Sequence, residues 1–418
     1  MNKYQLIILC SYVLILGVEY WLKILNIGHM KKYGMAVPRG FEGYIDESVL
    51  KKTHEYTVET STFSFVESIF GSVLVVIFIF GGLLNLYNAW VASLHLSFIV
   101  KGLIFFLLLG YTSSFLSIPF SLYATFRIEN KYEFNTMTLK VWISDFLKSE
   151  LLSTILVGLA VLGGLWFIQH SPGYWWLFVW GFFFIFSLFV MYISPYVIEP
   201  LFNKFSPIES EGLEDEIRSM LEKTGIRVSR VFTIDASKRS RHTNAYFTGI
   251  GNVKRIVLYD TLVEKMDQDE ILAVLAHEAG HWKKRHVLKV IVFFEGLSFV
   301  GAYVAFRVLR TDLLSDIFNI HNATLFSKVL VLGFIISIVS FPFTPLFAYF
   351  SRRHENEADR FAVELTSRPE SLVTSLVKLS KDNLSNLHPH PLYAKIYYSH
   401  PPVVERVMRI RESVNKKN

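Results

Sequence analysis

Between Ser68 and Phe126 the only Asp, Glu, Lys or Arg is Lys101, and between Leu151 and Ile198 there is none. Runs of this kind cannot stay in water. Each is long enough for two helical membrane crossings of about 20 residues, and His170-Ser171-Pro172-Gly173 marks the turn inside the second. Leu6 to Ile27 adds a first span, Val287 to Phe306 a sixth and Val329 to Phe350 a seventh. The first reads as a span rather than a cleaved leader, because its apolar run is too long and no small-residue cleavage site follows it. With hydrophobic residues at 52% and charged residues at 19%, disorder and an ordinary soluble fold are both excluded. The single cysteine, Cys10, lies in an apolar run and reads as a small hydrophobe, so neither a disulfide framework nor a thiolate metal site is available.

Seven spans put the two ends of the chain on opposite sides, and basic residues choose the orientation. Lys31, Lys32, Arg39, Lys51 and Lys52 follow the first span, and Arg127, Lys131, Lys140 and Lys148 follow the third. The long segment from Glu199 to Arg285 and the tail after Phe350 fall on that same basic side. By the positive-inside rule this side is cytoplasmic and the amino terminus faces away. A bacterial inner membrane and the endoplasmic reticulum both fit. The net charge of +6 then suits anionic headgroups, and no nucleic-acid partner is expected.

Four regions follow. Residues 1–198 carry five spans with cytoplasmic loops, 199–286 form a cytoplasmic segment, 287–350 hold the last two spans, and 351–418 form a second cytoplasmic segment. In the first polar segment, Leu213 to Thr224 has helical spacing and ends at Gly225. Val228 to Ile234 and Ile256 to Tyr259 read as strands, and Asn244 to Gly249 as a β-prone run closed by a Gly249-Ile250-Gly251-Asn252 turn. Asn415 to Asn418 reads as a frayed end. Inside the spans, Glu19 stands four residues before Lys23 and is expected to pair with it, and Glu295 is expected to face a bundle interior. Asn85, Asn88, Pro342 and Pro345 suggest a polar interior as well.

The chemistry lies in Ala276-His277-Glu278-Ala279-Gly280-His281, a His-Glu-x-x-His pattern. Asp267 and Glu270 form a capping signature that starts its helix. One turn apart on one face, His277 and His281 can reach a single metal ion, and Glu278 can take a proton from water that zinc makes acidic. One catalytic Zn2+ is expected, and the helix is expected to continue into the sixth span. Val287 is six residues past His281, which puts the site about 9 Å from the apolar boundary along the helix. His286, five residues past His281, is expected to turn away from the ligand face.

Two histidines leave a tetrahedral zinc one protein ligand short. Arg352-Arg353-His354-Glu355-Asn356-Glu357-Ala358-Asp359-Arg360 follows the seventh span. If it is helical, Glu355 and Asp359 share a face, so one can bind metal while the other holds a ligating imidazole. Glu357 points about 200° from Glu355. Spacing favours Glu355 and leaves Glu357 open.

With these residues the chain resembles the type I CAAX prenyl proteases, integral-membrane zinc metalloendopeptidases with a gluzincin-type site. The resemblance spans nearly the whole length. It rests on His277 to Trp282, Glu355 to Asp359, Asn244 to Phe247, Pro200 to Phe205, Glu129 to Asn135 and Ser399-His400-Pro401-Pro402. It implies an α-helical integral membrane protein with seven transmembrane helices around a large intramembrane chamber and a cytoplasmic α/β zinc metalloprotease domain. His277, His281 and Glu355 would hold zinc, Glu278 would be the general base, and Asp359 would support a ligating histidine. His400 and Arg406 would hold the substrate and its developing oxyanion; without the resemblance, His400 reads equally well as a turn before Pro401. The substrate would lie as a strand beside Asn244, Ala245, Tyr246, Phe247 and Thr248.

The activity so implied is removal of the three residues after a C-terminal isoprenylated cysteine, with a second cut nearer the amino terminus in some members. The partners are then a peptide or protein substrate and membrane lipids. Tyr132 and Glu133 stand where the family pattern has His-Gly. The rival readings are a broader membrane quality-control zinc protease and, further off, a transporter or scaffold without activity.

Overall fold

The structure, a computed structural model, describes residues 1–209, 212–248 and 253–415. The expected turn from Gly249 to Asn252 and the end from Lys416 to Asn418 lie outside the described residues. The chain begins with α1 (Lys3–Tyr33), α2 (Glu47–Phe80), a short α3 (Leu83–Ser93), α4 (Phe98–Tyr123), α5 (Leu139–His170) and α6 (Trp175–Ile193). Four of these helices, α1, α2, α4 and α5, have capped starts. Asn2, Asp46, Ser97 and Thr138 each accept a hydrogen bond from a backbone N–H three residues on. The third and fifth spans end in π-helical segments, Ala124–Glu129 and Ser194–Ile198.

A short α7 (Glu199–Phe202) leads into a four-stranded sheet of β1 (Phe205–Pro207), β2 (Arg227–Ile234), β3 (Ala245–Thr248) and β4 (Val253–Tyr259). Its order is β1-β2-β4-β3, with β2 and β4 parallel and β3 antiparallel to β4, so β3 is an edge. The parallel pair needs a long crossover, and the stretch from Asp235 to Thr248, which holds β3, supplies it. Helix α8 (Leu213–Glu222) covers one face of the sheet, packing Leu213, Ile217 and Leu221 against Val228, Val231 and Ile256. After α9 (Asp260–Lys265) comes α10 (Gln268–Lys283), then α11 (His286–Leu309), α12 (Leu313–Phe318), α13 (Leu325–Ser340) and α14 (Thr344–Thr366). The chain closes with α15 (Pro369–Asp382), α16 (Pro391–Tyr397) and α17 (Val403–Asn415), and the buried faces of α15 and α17 join the same core.

Seven helices among the described residues are long and apolar enough to cross a membrane, matching the seven expected spans. At most 11% of the residues in any span's most apolar window are buried. The spans touch their neighbours through a few pairs, such as Tyr20 with Ser72 and Trp180 with Ser298, and leave most of their apolar surface uncovered by protein. Two cores tie the ends together. One surrounds the sheet and α10, and the other gathers Ile79, Leu84, Phe105, Phe318, Phe326 and Phe334 at the far end of α2.

Four expectations change here. The catalytic helix does not run unbroken into the sixth span, because Arg285 takes a left-handed conformation (φ 56°) and separates α10 from α11. Lys23 donates to Ser68 Oγ on α2 at 2.9 Å, so its hydrogen bond goes to a neighbouring span. Asn88 bonds the carbonyls of His321 and Asn322 and the N–H of Thr324, and Asn85 bonds the carbonyl of Asn319. Both therefore close the far end of the bundle instead of lining a polar interior. Pro342 lies in a 3-10 turn (Phe341–Phe343) and Pro345 in the first turn of α14, where neither breaks a helix interior.

Candidate metal centre

The start of α10 is fixed by the expected capping box. Asp267 Oδ1 accepts from the N–H of Glu270 at 2.9 Å, and Glu270 accepts from the N–H of Asp267 at 3.0 Å. Ile271, Leu275, Ala276 and Ala279 then face the core, which leaves His277 and His281 facing α14. Gly280 lets the two helices meet. A Cβ at this position would lie 2.9 Å from Ala358 Cα and 3.1 Å from its carbonyl oxygen, so α10 and α14 cross in near backbone contact. That crossing presents Glu355 and Asp359 to the histidines.

Three donors converge. His277 Nε2 and His281 Nε2 are 3.2 Å apart, and Glu355 lies 3.4 Å from the first and 3.2 Å from the second. Tetrahedral N and O ligands at about 2.0–2.1 Å from an ion sit about 3.3 Å from one another, so the set fits zinc-like coordination. Glu355 is 4% exposed, and its Oε2 has no hydrogen-bond partner in the protein, an arrangement costly to bury unless a cation is shared. His277, His281 and Glu355 form the one such cluster of three found among the described residues.

Asp359 completes the support. Its Oδ1 accepts from His277 Nδ1 at 2.8 Å, which leaves Nε2 free as a ligand atom. Arg406, on α17, grips the same carboxylate through Nε at 2.9 Å and Nη2 at 2.6 Å. Burial alone would lower the His277 pKa, but Asp359 and Glu355 outweigh it and raise the value to about 9. The surrounding carboxylates thus favour a positive charge here. Arg406 lies part-buried behind His277 with its guanidinium committed to Asp359.

His400 approaches from the turn before α17, with Nε2 3.4 Å from Glu355 Oε1. Its Nδ1 lies 2.9 Å from Ser399 Oγ, so a hydroxyl proton donated there leaves the ring proton on Nε2, facing the cluster. Partial desolvation lowers the His400 pKa, with Arg406, His277 and His281 adding to the effect and Glu355 opposing it. Arg352 anchors this turn by donating to the carbonyls of Ala394 and Tyr398.

Glu278 lines a cavity of about 750 Å³ with His281, Phe247 and Thr248. The remaining wall is apolar, with Phe184, Leu188 and Met191 from α6 and Leu288 and Ile291 from α11, and Glu295 also lines it. The edge strand is held from behind by His242 and Asn383, which the sequence did not single out, together with the Glu129 to Asn135 segment. His242 stacks on Phe134 (ring centroids 4.0 Å apart) and lies 3.3 Å from Glu129 Oε2, and Asn383 Oδ1 accepts from the N–H of Thr243 at 3.1 Å. Tyr246 donates to Glu199 at 2.6 Å, and Asn244 is exposed beside the strand. The Glu129 to Asn135 segment therefore works as a brace for β3. Within it, Glu133 adopts φ 66°, a conformation suited to the glycine of the family pattern, and pairs with Lys52.

His286 and Glu357 also differ from expectation. The break at Arg285 turns His286 back toward the site, so that its Nδ1 lies 3.2 Å from His281 Nδ1. Glu357, the alternative ligand, instead meets His286 Nε2 at 3.2 Å.

Comparison with known proteins adds sequence and fold likeness to this geometry. A model described as "CAAX prenyl protease N-terminal, five membrane helices" matches residues 26–204, and one described as "Peptidase family M48" matches residues 207–414. A CAAX prenyl protease 1 homolog of Arabidopsis thaliana is 35% identical over 387 residues, covering 90% of each chain. CAAX prenyl protease 1 of Saccharomyces cerevisiae is 32% identical over 91% of this chain and 90% of its own. The crystal structure of S. mikatae Ste24p superposes with a TM-score of 0.90 at 29% identity, over 98% of this chain and 99% of that one.

Proposed function

The chain belongs to peptidase family M48, with the CAAX prenyl protease type of N-terminal region, and is a multi-pass membrane metalloprotease; we propose that it removes the C-terminal tripeptide after an isoprenylated cysteine. The observation that carries the substrate class is the apolar cavity that opens directly on Glu278 and His281 between two membrane spans. Each CH2-sized unit of an isoprenoid buried there contributes about 0.8 kcal/mol. We place the site on the cytoplasmic side, because the loops that share its side carry most of the Lys and Arg between spans.

His277, His281 and Glu355 would hold one Zn2+, as their donor set and spacing allow. When bound, the ion would make water acidic near neutral pH and draw electron density from the scissile carbonyl. The protein's own groups do the rest. A substrate strand adds beside β3, with backbone hydrogen bonds setting its register and Asn244 at its border. If it runs antiparallel, the residues ahead of the cut lie at the Thr248 end, beside the cavity, and the departing tripeptide lies toward Asn244. Glu278 accepts the proton of the attacking water and returns it to the leaving amine. His400 donates through Nε2 as negative charge grows on the carbonyl oxygen. Arg406 acts from behind, by fixing Asp359 and so His277.

The test compares three substrates on detergent-solubilised protein: a farnesylated C-terminal peptide, the same peptide without the lipid, and a denatured membrane protein. Faster cleavage of the lipidated peptide, lost when Ile291 or Leu188 is changed to Trp, supports the proposal. Equal turnover of all three favours a quality-control protease.

A further inference from the structure

The two ligating histidines are supported in different ways. His277 Nδ1 has a carboxylate, Asp359. His281 Nδ1 has instead another imidazole, His286 Nδ1 at 3.2 Å, whose far nitrogen meets Glu357 Oε2 at 3.2 Å. Tautomer logic makes this a one-way chain. For His281 to offer the Nε2 lone pair to an ion, its Nδ1 must carry the proton and donate it to His286. His286 is then protonated on Nε2 and donates to Glu357.

The fold is bent to allow this contact. On an unbroken helix His286 would sit about 140° around from His281, on another face. The left-handed Arg285 restarts the helix and returns the ring to the site. A non-glycine residue in that conformation costs about 1–2 kcal/mol, and such strain persists only where the surroundings hold it. His286 is 3% exposed, stacks on His354 with centroids 4.1 Å apart, and has both ring nitrogens engaged. Arg353 Nε donates to the other oxygen of Glu357 at 3.2 Å, as Arg406 does for Asp359.

We infer that His286 and Glu357 are positioning residues for the metal centre, a relay that fixes the tautomer and orientation of His281 as Asp359 does for His277. On this account α14 serves the site three times along one stretch. Glu355 is the ligand, Asp359 supports one histidine directly, and Glu357 supports the other through His286. The inference rests on the metal reading of the cluster.

The test uses the full-length protein in detergent, with Zn2+ affinity measured by chelator competition and the ligand-field spectrum read after Co2+ substitution. His286→Phe keeps the ring volume and removes both hydrogen bonds. It should weaken Zn2+ binding about 10–100-fold and change the Co2+ spectrum. His286→Gln, whose amide can accept from His281 and donate to Glu357, should recover most of both. Glu357→Leu should weaken binding in the wild-type background and add nothing to His286→Phe, because the two act as one chain. Unchanged Zn2+ affinity and Co2+ spectrum in His286→Phe, with only a lower melting temperature, would overturn the inference. If that variant does not fold, the same two readings on Glu357→Leu decide. Failure of the wild type to bind Zn2+ would instead sink the metal reading itself.

Discussion

Asp359 Oδ1 sits 2.8 Å from His277 Nδ1 and 2.6 Å from Arg406 Nη2, so one carboxylate both orients the His277 imidazole and neutralises a part-buried guanidinium. The site is thereby anchored to α17, near the end of the chain. Asp359→Asn keeps the shape but not the charge. Metal affinity should fall about 10–100-fold, measured by chelator competition, while the helix content stays as in wild type. An unchanged affinity would show that the contact does not orient the ligand.

Glu278 lines the cavity beside His281, and the proposed mechanism assigns it the proton transfer. Glu278→Gln should lower kcat about 10²–10⁴-fold with bound metal and melting temperature unaltered. The measurement is turnover of a matched peptide beside metal content of the same sample. Activity above a few per cent of wild type removes Glu278 from the role of base.

Gly280→Ala forces a methyl group against the Ala358 backbone, 2.9 Å away at the nearest atom. Overpacking of this kind costs about 1–3 kcal/mol. Because the crossing of α10 and α14 also sets the donor distances, melting temperature and metal affinity should fall together. A stable variant with reduced affinity, or the reverse, would separate packing from site geometry.

The brace behind the edge strand should weaken as pH rises. Burial alone would lower the His242 pKa, but hydrogen bonds to Glu129 and Asn383 raise it above the ordinary value. A raised folded-state pKa means the contribution is complete below the unfolded value of about 6.5 and is lost as pH rises through the folded one. His242→Phe keeps the stacking on Phe134 and removes the charge. Its stability deficit against wild type should be larger near about pH 5 than near about pH 9, by about 0.2–1 kcal/mol. A deficit that is flat across this range would show that the pair is not charged.

Much of this protein is local, and local features are written in its sequence. The seven spans were legible because hydropathy is summed along one segment at a time and needs no partner. The pairing of His277 with His281 was legible because both belong to one helix, where a separation of four residues fixes the face. The capping box at Asp267 and Glu270, and the strand from Ala245 to Thr248, follow from the same short-range rules. The choice of Glu355 over Glu357 was only a preference, since helical spacing says which residues share a face but not which face meets α10. The close crossing at Gly280 and Ala358 brings Glu355, and not Glu357, to His277 and His281, and it depends on two backbones far apart in the chain. The same limit hid His286. Helical periodicity turned it away from the site, and a single left-handed residue at Arg285 turned it back, because a backbone conformation that costs strain is held by tertiary packing and has no signature in the residues that adopt it.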